Sequence, residues 1–126
     1  MQKPKKLVFK FACLCDDVRR EDNGKMILIG VYGSDIVLSG AANLLLNMVV
    51  WMDIPETKAY DLNVEILIDG VIQNSGKIKF SMTKALHGVG SFPIPLNVSK
   101  SGVIDIKIGE DGRPVTNIFS VPVRVG

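Results

Sequence analysis

Between residues 60 and 69 apolar and polar side chains alternate almost without fault. Tyr60, Leu62, Val64, Ile66 and Ile68 fall on one side, and Asp61, Asn63, Glu65 and Asp69 on the other. A strand sends successive side chains to opposite faces, whereas a helix would scatter this pattern around its circumference. The same period returns along the chain: Ile78, Phe80 and Met82 against Lys77 and Lys79, then Ile104, Ile106 and Ile108. It closes with Val115, Phe119, Val121, Val123 and Val125. Asp69-Gly70, the stretch 99–102 and Glu110-Asp111-Gly112 supply turns between them. About seven or eight short strands at this spacing predict an all-β chain folded as an antiparallel β-sandwich.

The remaining segments fit that frame. Phe92, Ile94, Leu96 and Val98 share a face opposite Pro93 and Pro95, and two residues that cannot donate ladder bonds predict an edge strand. Residues 44–54 carry an unbroken apolar face (Leu44, Leu46, Met48, Val50, Met52, Ile54) with Asn47, Trp51 and Asp53 opposite. Helix is the rival there, but β-branched and aromatic residues followed by Pro55 favour strand. Residues 36–42 read as a short strand and a Gly-Ala loop, Asn74-Ser75-Gly76 as a bulge or break, and 83–90 as a loop. A length of 126 residues, 47% of them hydrophobic, suits one domain over 1–126, with 1–6 a short basic tail. Lys10 interrupts the N-terminal apolar run, so no cleaved leader is expected, and no segment has the length of a membrane helix.

The most charged stretch lies early. FKFACLC, DDVRREDNG and KMILIGVY read as strand, polar connection and strand, closed by an Asn23-Gly24 turn. Leu7, Phe9, Phe11, Cys13 and Cys15 are expected to share one apolar face. Residues 25–32 are apolar on both faces, with Met26 and Leu28 on one and Ile27, Ile29 and Val31 on the other. Such a strand is expected in the centre of a sheet or beneath a covering segment. Two cysteines one residue apart on a strand point the same way, about 7 Å apart, which is poor disulfide geometry. With 1 His and no other Cys the chain offers few partners for a thiolate metal site. Cys13 and Cys15 are therefore expected to be reduced and buried, which suits a cytoplasmic protein.

The block 11–33, FACLCDDVRREDNGKMILIGVYG, with the apolar strand that ends at Pro55, resembles a family of small bacterial proteins of unknown function. Its members share the acidic-basic connection, the Asn-Gly turn and the Ile-Gly-Val-Tyr-Gly run. The strand-turn-strand rhythm of 62–70 and 102–121 resembles immunoglobulin-like sandwiches. The first resemblance implies no activity; the second implies an immunoglobulin-like fold.

No catalytic motif is present. There is no nucleophile elbow and no phosphate-binding loop, and Gly88-Val89-Gly90 lacks the third glycine and the helix of a dinucleotide site. His87 falls in a loop without a recognisable nucleophile. The expectation is a protein that is not an enzyme and needs no cofactor or metal. With 15 basic and 13 acidic side chains, a net charge of +2 argues against nucleic acid and membrane surfaces as partners. If strands simply alternate in direction, the connections 16–24, 55–58, 83–90 and 109–113 share one end of the sandwich. That end would gather Asp16, Asp17, Arg19, Arg20, Glu21, Asp22, His87, Glu110, Asp111 and Arg113, with Glu56, Lys58 and Lys84 beside them. Such end loops are where sandwiches commonly bind. Trp51 is expected on an outer face with Val8, Ala12, Leu14 and Val49, covered either by 36–42 or by a second copy in an isologous homodimer. The function this supports is a non-enzymatic interaction module for a protein partner or itself. The alternative is a small-ligand or calcium site built from the end-loop carboxylates, against which Arg19 and Arg20 count.

Overall fold

The computed structural model describes residues 6–23, 25–81 and 86–126, Leu86 by its backbone alone. Among these residues there is no helix, and so none long and apolar enough to cross a membrane. There are nine strands, where the pattern predicted seven or eight: β1 (Val8–Arg20), β2 (Met26–Val31), β3 (Ile36–Leu38), β4 (Ala42–Ile54), β5 (Ala59–Ile68), β6 (Val71–Ser81), β7 (Leu86–Val98), β8 (Gly102–Glu110) and β9 (Thr116–Val125). They form two packed sheets, β2-β1-β4-β7 and β3-β9-β8-β5-β6. All pairings are antiparallel except β3 with β9, which is parallel.

The alternating stretches become the facing walls of one core. Leu46, Met48, Val50, Ile94 and Leu96 come from the first sheet, and Leu62, Ile66, Ile104, Ile106, Ile108 and Val121 from the second, all nearly inaccessible. Asp69 and Gly70 both have positive φ (50° and 81°), the backbone a two-residue β5–β6 hairpin needs. β7 is the edge of its sheet, as its prolines predict. Its ladder with β4 runs unbroken from Ala42↔Val98 to Ile54↔Leu86, so the missing N–H groups of Pro93 and Pro95 lie on the open side.

Several expectations are corrected. Lys10 is an extra residue between the pairs Phe9↔Met52 and Phe11↔Trp51, and this bulge changes the phase of β1. Leu7, Phe9, Ala12 and Leu14 therefore face the core, while Phe11, Cys13 and Cys15 face outward. The charged stretch is not a loop: β1 continues to Arg20 and pairs with β2, and the reversal is confined to 21–25, closed by Glu21 N donating to Lys25 O at 2.8 Å. Gly24, the second residue of the expected Asn-Gly turn, lies outside the described residues. β2 is an edge strand and not a central one. Residues 36–38 form β3, with Ile36 in the core, and do not cover Trp51. β6 runs through Asn74-Ser75-Gly76 without a break, its irregularity falling at Gln73 between Ile66↔Asn74 and Leu67↔Ile72. β7 reaches back to Leu86, so residues 86–90 of the expected loop are strand, while 82–85 lie outside the described residues.

Candidate interaction surface

The outer face of the four-stranded sheet is apolar, and the molecule covers part of it with its own chain. Beyond Cys15 the only strand partner of β1 among the described residues is β2, so the two form a ribbon. Val18, Met26 and Leu28 of this ribbon pack against Cys13, Cys15 and Val49. Cys15 and Val49 are fully inaccessible as a result, although they sit on the outward side of the sheet. Both cysteines are free thiols. Burial pushes the Cys13 thiol up in pKa; Cys15 is pushed up by burial and by the neighbouring Cys13 and Asp16.

Within the ribbon Asp16 and Gly30 lie side by side. Gly30 has φ +71°, and a Cβ there would fall on the Asp16 carboxyl group. Asp16 accepts a hydrogen bond from the Tyr32 hydroxyl at 2.7 Å, and its carbonyl accepts one from Asn47 Nδ2 at 3.1 Å. Burial, and then the Asp16 carboxylate beside it, push the Tyr32 hydroxyl up to about 12. These contacts clasp the ribbon to the sheet. Farther out Asp17 pairs with Arg19 at 3.5 Å, and Arg20, Glu21 and Asp22 are exposed.

The structure separates the charged residues expected at one end. β4 runs antiparallel to β1, with Val8 opposite Asp53 and Cys15 opposite Asn47, so 55–58 lies at the opposite end from the 21–25 turn. His87 pairs with Asp53, and Glu110 with Leu62 near the start of β5, so His87, Glu110, Asp111 and Arg113 belong to the end of 55–58. Asp16, Asp17, Arg19, Arg20, Glu21 and Asp22 are on the ribbon. The reason is β3, a strand of three residues that adds one reversal between β2 and β4. At the His87 end Glu110 lies 4.0 Å from Arg113, while Asp111 lies 3.7 Å from Lys77 and accepts from Asn63 Nδ2 at 3.2 Å. Lys84 is outside the described residues. Among those described, no three His, Cys, Asp or Glu side chains gather where they could hold a metal ion.

What the structure does assemble is a patch that the ribbon leaves open. In register across the sheet lie Phe11, Trp51 and Val89. The Phe11 and Trp51 rings are 5.2 Å apart and tilted by 50°, and Phe11 is 62% exposed. The next row toward the 55–58 end holds Val8, Asp53 and His87, with the bulged Lys10 beside them. Asp53 binds Lys10 Nζ at 3.2 Å and His87 Nδ1 at 3.0 Å. Desolvation is the largest single influence on Asp53 and raises its pKa, but the hydrogen bonds and charges of His87 and Lys10 together outweigh it and hold the carboxyl below its ordinary value. Exposed ion pairs of this kind add little stability. Their effect is to fix the charges around the rim of the aromatic pair. Trp51 was legible as an outward residue; Phe11 was not, because the bulge at Lys10 reverses its face.

No family model matches the chain, and no curated protein is significantly similar to it. The reading of the site therefore rests on its geometry.

Proposed function

We propose that the protein is a non-enzymatic interaction module that docks a protein surface on the Phe11–Trp51 face. The observation that carries this is the exposure of Phe11 against a partly buried Trp51, bordered on the 55–58 side by Lys10, Asp53 and His87. An aromatic centre within a polar rim is the composition of a binding hot spot. The simplest occupant is a second copy. The rim holds both signs of charge, so a two-fold pair can place Lys10 of one copy near Asp53 of the other. The balanced overall charge favours a protein over nucleic acid, and the two free buried thiols suit a reducing, cytoplasmic setting.

The sandwich is best read as immunoglobulin-like. The run β9-β8-β5-β6, with hairpins β8–β9 and β5–β6, matches the G-F-C-C′ order of variable-type domains, and β4 beside β7 takes the place of B beside E. Light scattering and Trp51 fluorescence across a dilution series test the docking face. The mass should rise with concentration as the Trp51 emission shifts to the blue, and Phe11→Asp should abolish both while leaving the melting temperature nearly unchanged. A monomer at the highest concentration, with emission already that of a buried indole, would overturn the second copy.

A further inference from the structure

Beside that face the sandwich has a half-open flank. β1 is paired with β4 along Val8 to Cys15, but on its other side β2 begins only at Cys15. Facing it, β9 is joined by β3 only at Val123, Arg124 and Val125. The chain thus seals the upper half of this flank with β2 and β3, and among the described residues it leaves two facing open edges in the lower half. Between them runs a groove of about 390 Å³, bounded by residues 6–11 of β1 and its lead-in and 116–118 of β9. Its apolar floor is Leu7, Phe9 and Ile118, all packed on the core. Lys6 and Lys10 are its only charged lining residues among those described. An adjoining groove of about 240 Å³ shares Lys6, Leu7, Phe9 and Thr116 and adds Arg113 and Glu110, so cations outnumber anions along the whole flank.

We infer that the free edge of β1 accepts an extended acidic peptide of a partner protein as an added strand. An unpaired edge supplies backbone donors and acceptors, and side-chain pockets beside it select the sequence. A strand laid in register on β1 sends alternate side chains inward onto Leu7, Phe9 and Ile118. The intervening ones point outward beside Lys6 and Lys10, where carboxylates are favoured. Lys10 already pairs with Asp53, but its side chain is 58% exposed and free to turn. The fitting segment alternates apolar and acidic residues. This goes beyond the docking face: Lys10 and Phe11 border both surfaces, but the groove lies on the flank and is recognised through the free backbone edge of β1.

The probe is a fluorescein-labelled peptide, Glu-Val-Glu-Val-Glu-Val, followed by anisotropy, with amide hydrogen exchange read on the full chain. The expected result is saturable binding, slowed exchange within residues 8–13, and no binding of the peptide with lysine in place of glutamate. The double variant Lys6→Glu/Lys10→Gln, checked by thermal melting for an intact fold, should weaken binding by about tenfold or more. No binding at about 1 mM probe would overturn the inference. So would protection on β6 or β7, the long edge strands of the opposite flank, or equal affinity for the double variant. Protection of residues 8–13 by concentrating the Phe11→Asp variant, which lacks the docking face, without peptide would overturn it too, assigning the edge to a second copy.

Discussion

Replacing Gly30 by alanine tests how the outer face is covered. The backbone there has φ +71°, which costs an L-residue about 1–2 kcal/mol. The new methyl would collide with Asp16 Oδ2 and lie 2.8 Å from Asp16 Cγ, so the carboxylate must move. Moving it breaks the 2.7 Å bond from Tyr32, and a bond to a charged group is worth about 1.5–3 kcal/mol, at the low end here because this one is exposed. The two effects together weaken the clasp by roughly 2–4 kcal/mol. They act on the ribbon and not on the core, so the readout is the accessibility of Cys15, which is fully inaccessible while Val18, Met26 and Leu28 lie over it. Labelling through a local opening accelerates tenfold for each 1.4 kcal/mol removed, so a thiol reagent should react roughly thirty-fold to several-hundred-fold faster. Asp16→Ala alone should give about tenfold, through the lost Tyr32 bond. With the carboxylate already gone, Gly30→Ala should add only the backbone strain. The double variant should therefore fall short of the summed effects by roughly 1 kcal/mol or more. Labelling unchanged by Gly30→Ala, or strictly additive effects, would refute the clasp.

Three further outcomes are expected. Ile66→Ala should lower stability to urea by about 2–5 kcal/mol, because Ile66 is 4% exposed in the core, while Glu65→Ala one residue away should change it by about 0.5 kcal/mol or less. Tyr32 (pushed up to about 12 from 10.0) and the two raised thiols (ordinary value 9.0) are all favoured in their protonated forms by folding. The stability they lend is complete below pH 9 and is lost as pH climbs toward 12; Asp16→Asn should lower the midpoint of Tyr32 ionisation followed by its ultraviolet absorbance. Asp53 has the opposite sign: its lowered pKa gives a contribution present above the ordinary carboxylate value of 3.8 and lost as pH falls through the folded value. Carboxyl-carbon NMR should show the Asp53 titration moving upward in His87→Ala.

The walls of the core were legible because their patterns have one phase. In 60–66, 92–98 and 104–108 a one-residue slip would bury charges, prolines or amides, so period two fixes the faces. The run from Leu7 to Cys15 has no such protection. Apart from Lys10 it is apolar in both phases, and a bulge at Lys10 exchanges the faces at no cost in hydrophobicity. The distal half of β1 was illegible for the converse reason. Asp16, Asp17, Arg19, Arg20 and Glu21 read as loop, yet what holds Asp17, Val18, Arg19 and Arg20 extended is a backbone ladder with β2 and the single inward Val18. The end-loop cluster failed on topology: strict alternation counts reversals, and the three residues of β3 add one. His87 moved from loop to strand because β4 is thirteen residues long and pairs with β7 to its end.

How far the ribbon reaches decides what the outer face can do. β2 has six residues, about 20 Å of strand, and its apolar side is used on Cys13, Cys15 and Val49. Those residues have no polar atom that water must reach apart from two weakly donating thiols, and Cys15 finds carbonyls of Asp17 and Asn47 at 3.5 and 3.6 Å. Covering them stabilises the fold directly. The next row receives no such cover: Phe11 remains 62% exposed, so the fold gains little from its ring. A serine at that position would keep the β1–β4 ladder and lose the ring contact with Trp51. Folding accounts for Cys13, Cys15 and Val49 without any partner, and for Phe11 only through its contact with the Trp51 ring. The side chain that the ribbon stops short of is Phe11, and its ring is the one that the proposed docking would bury.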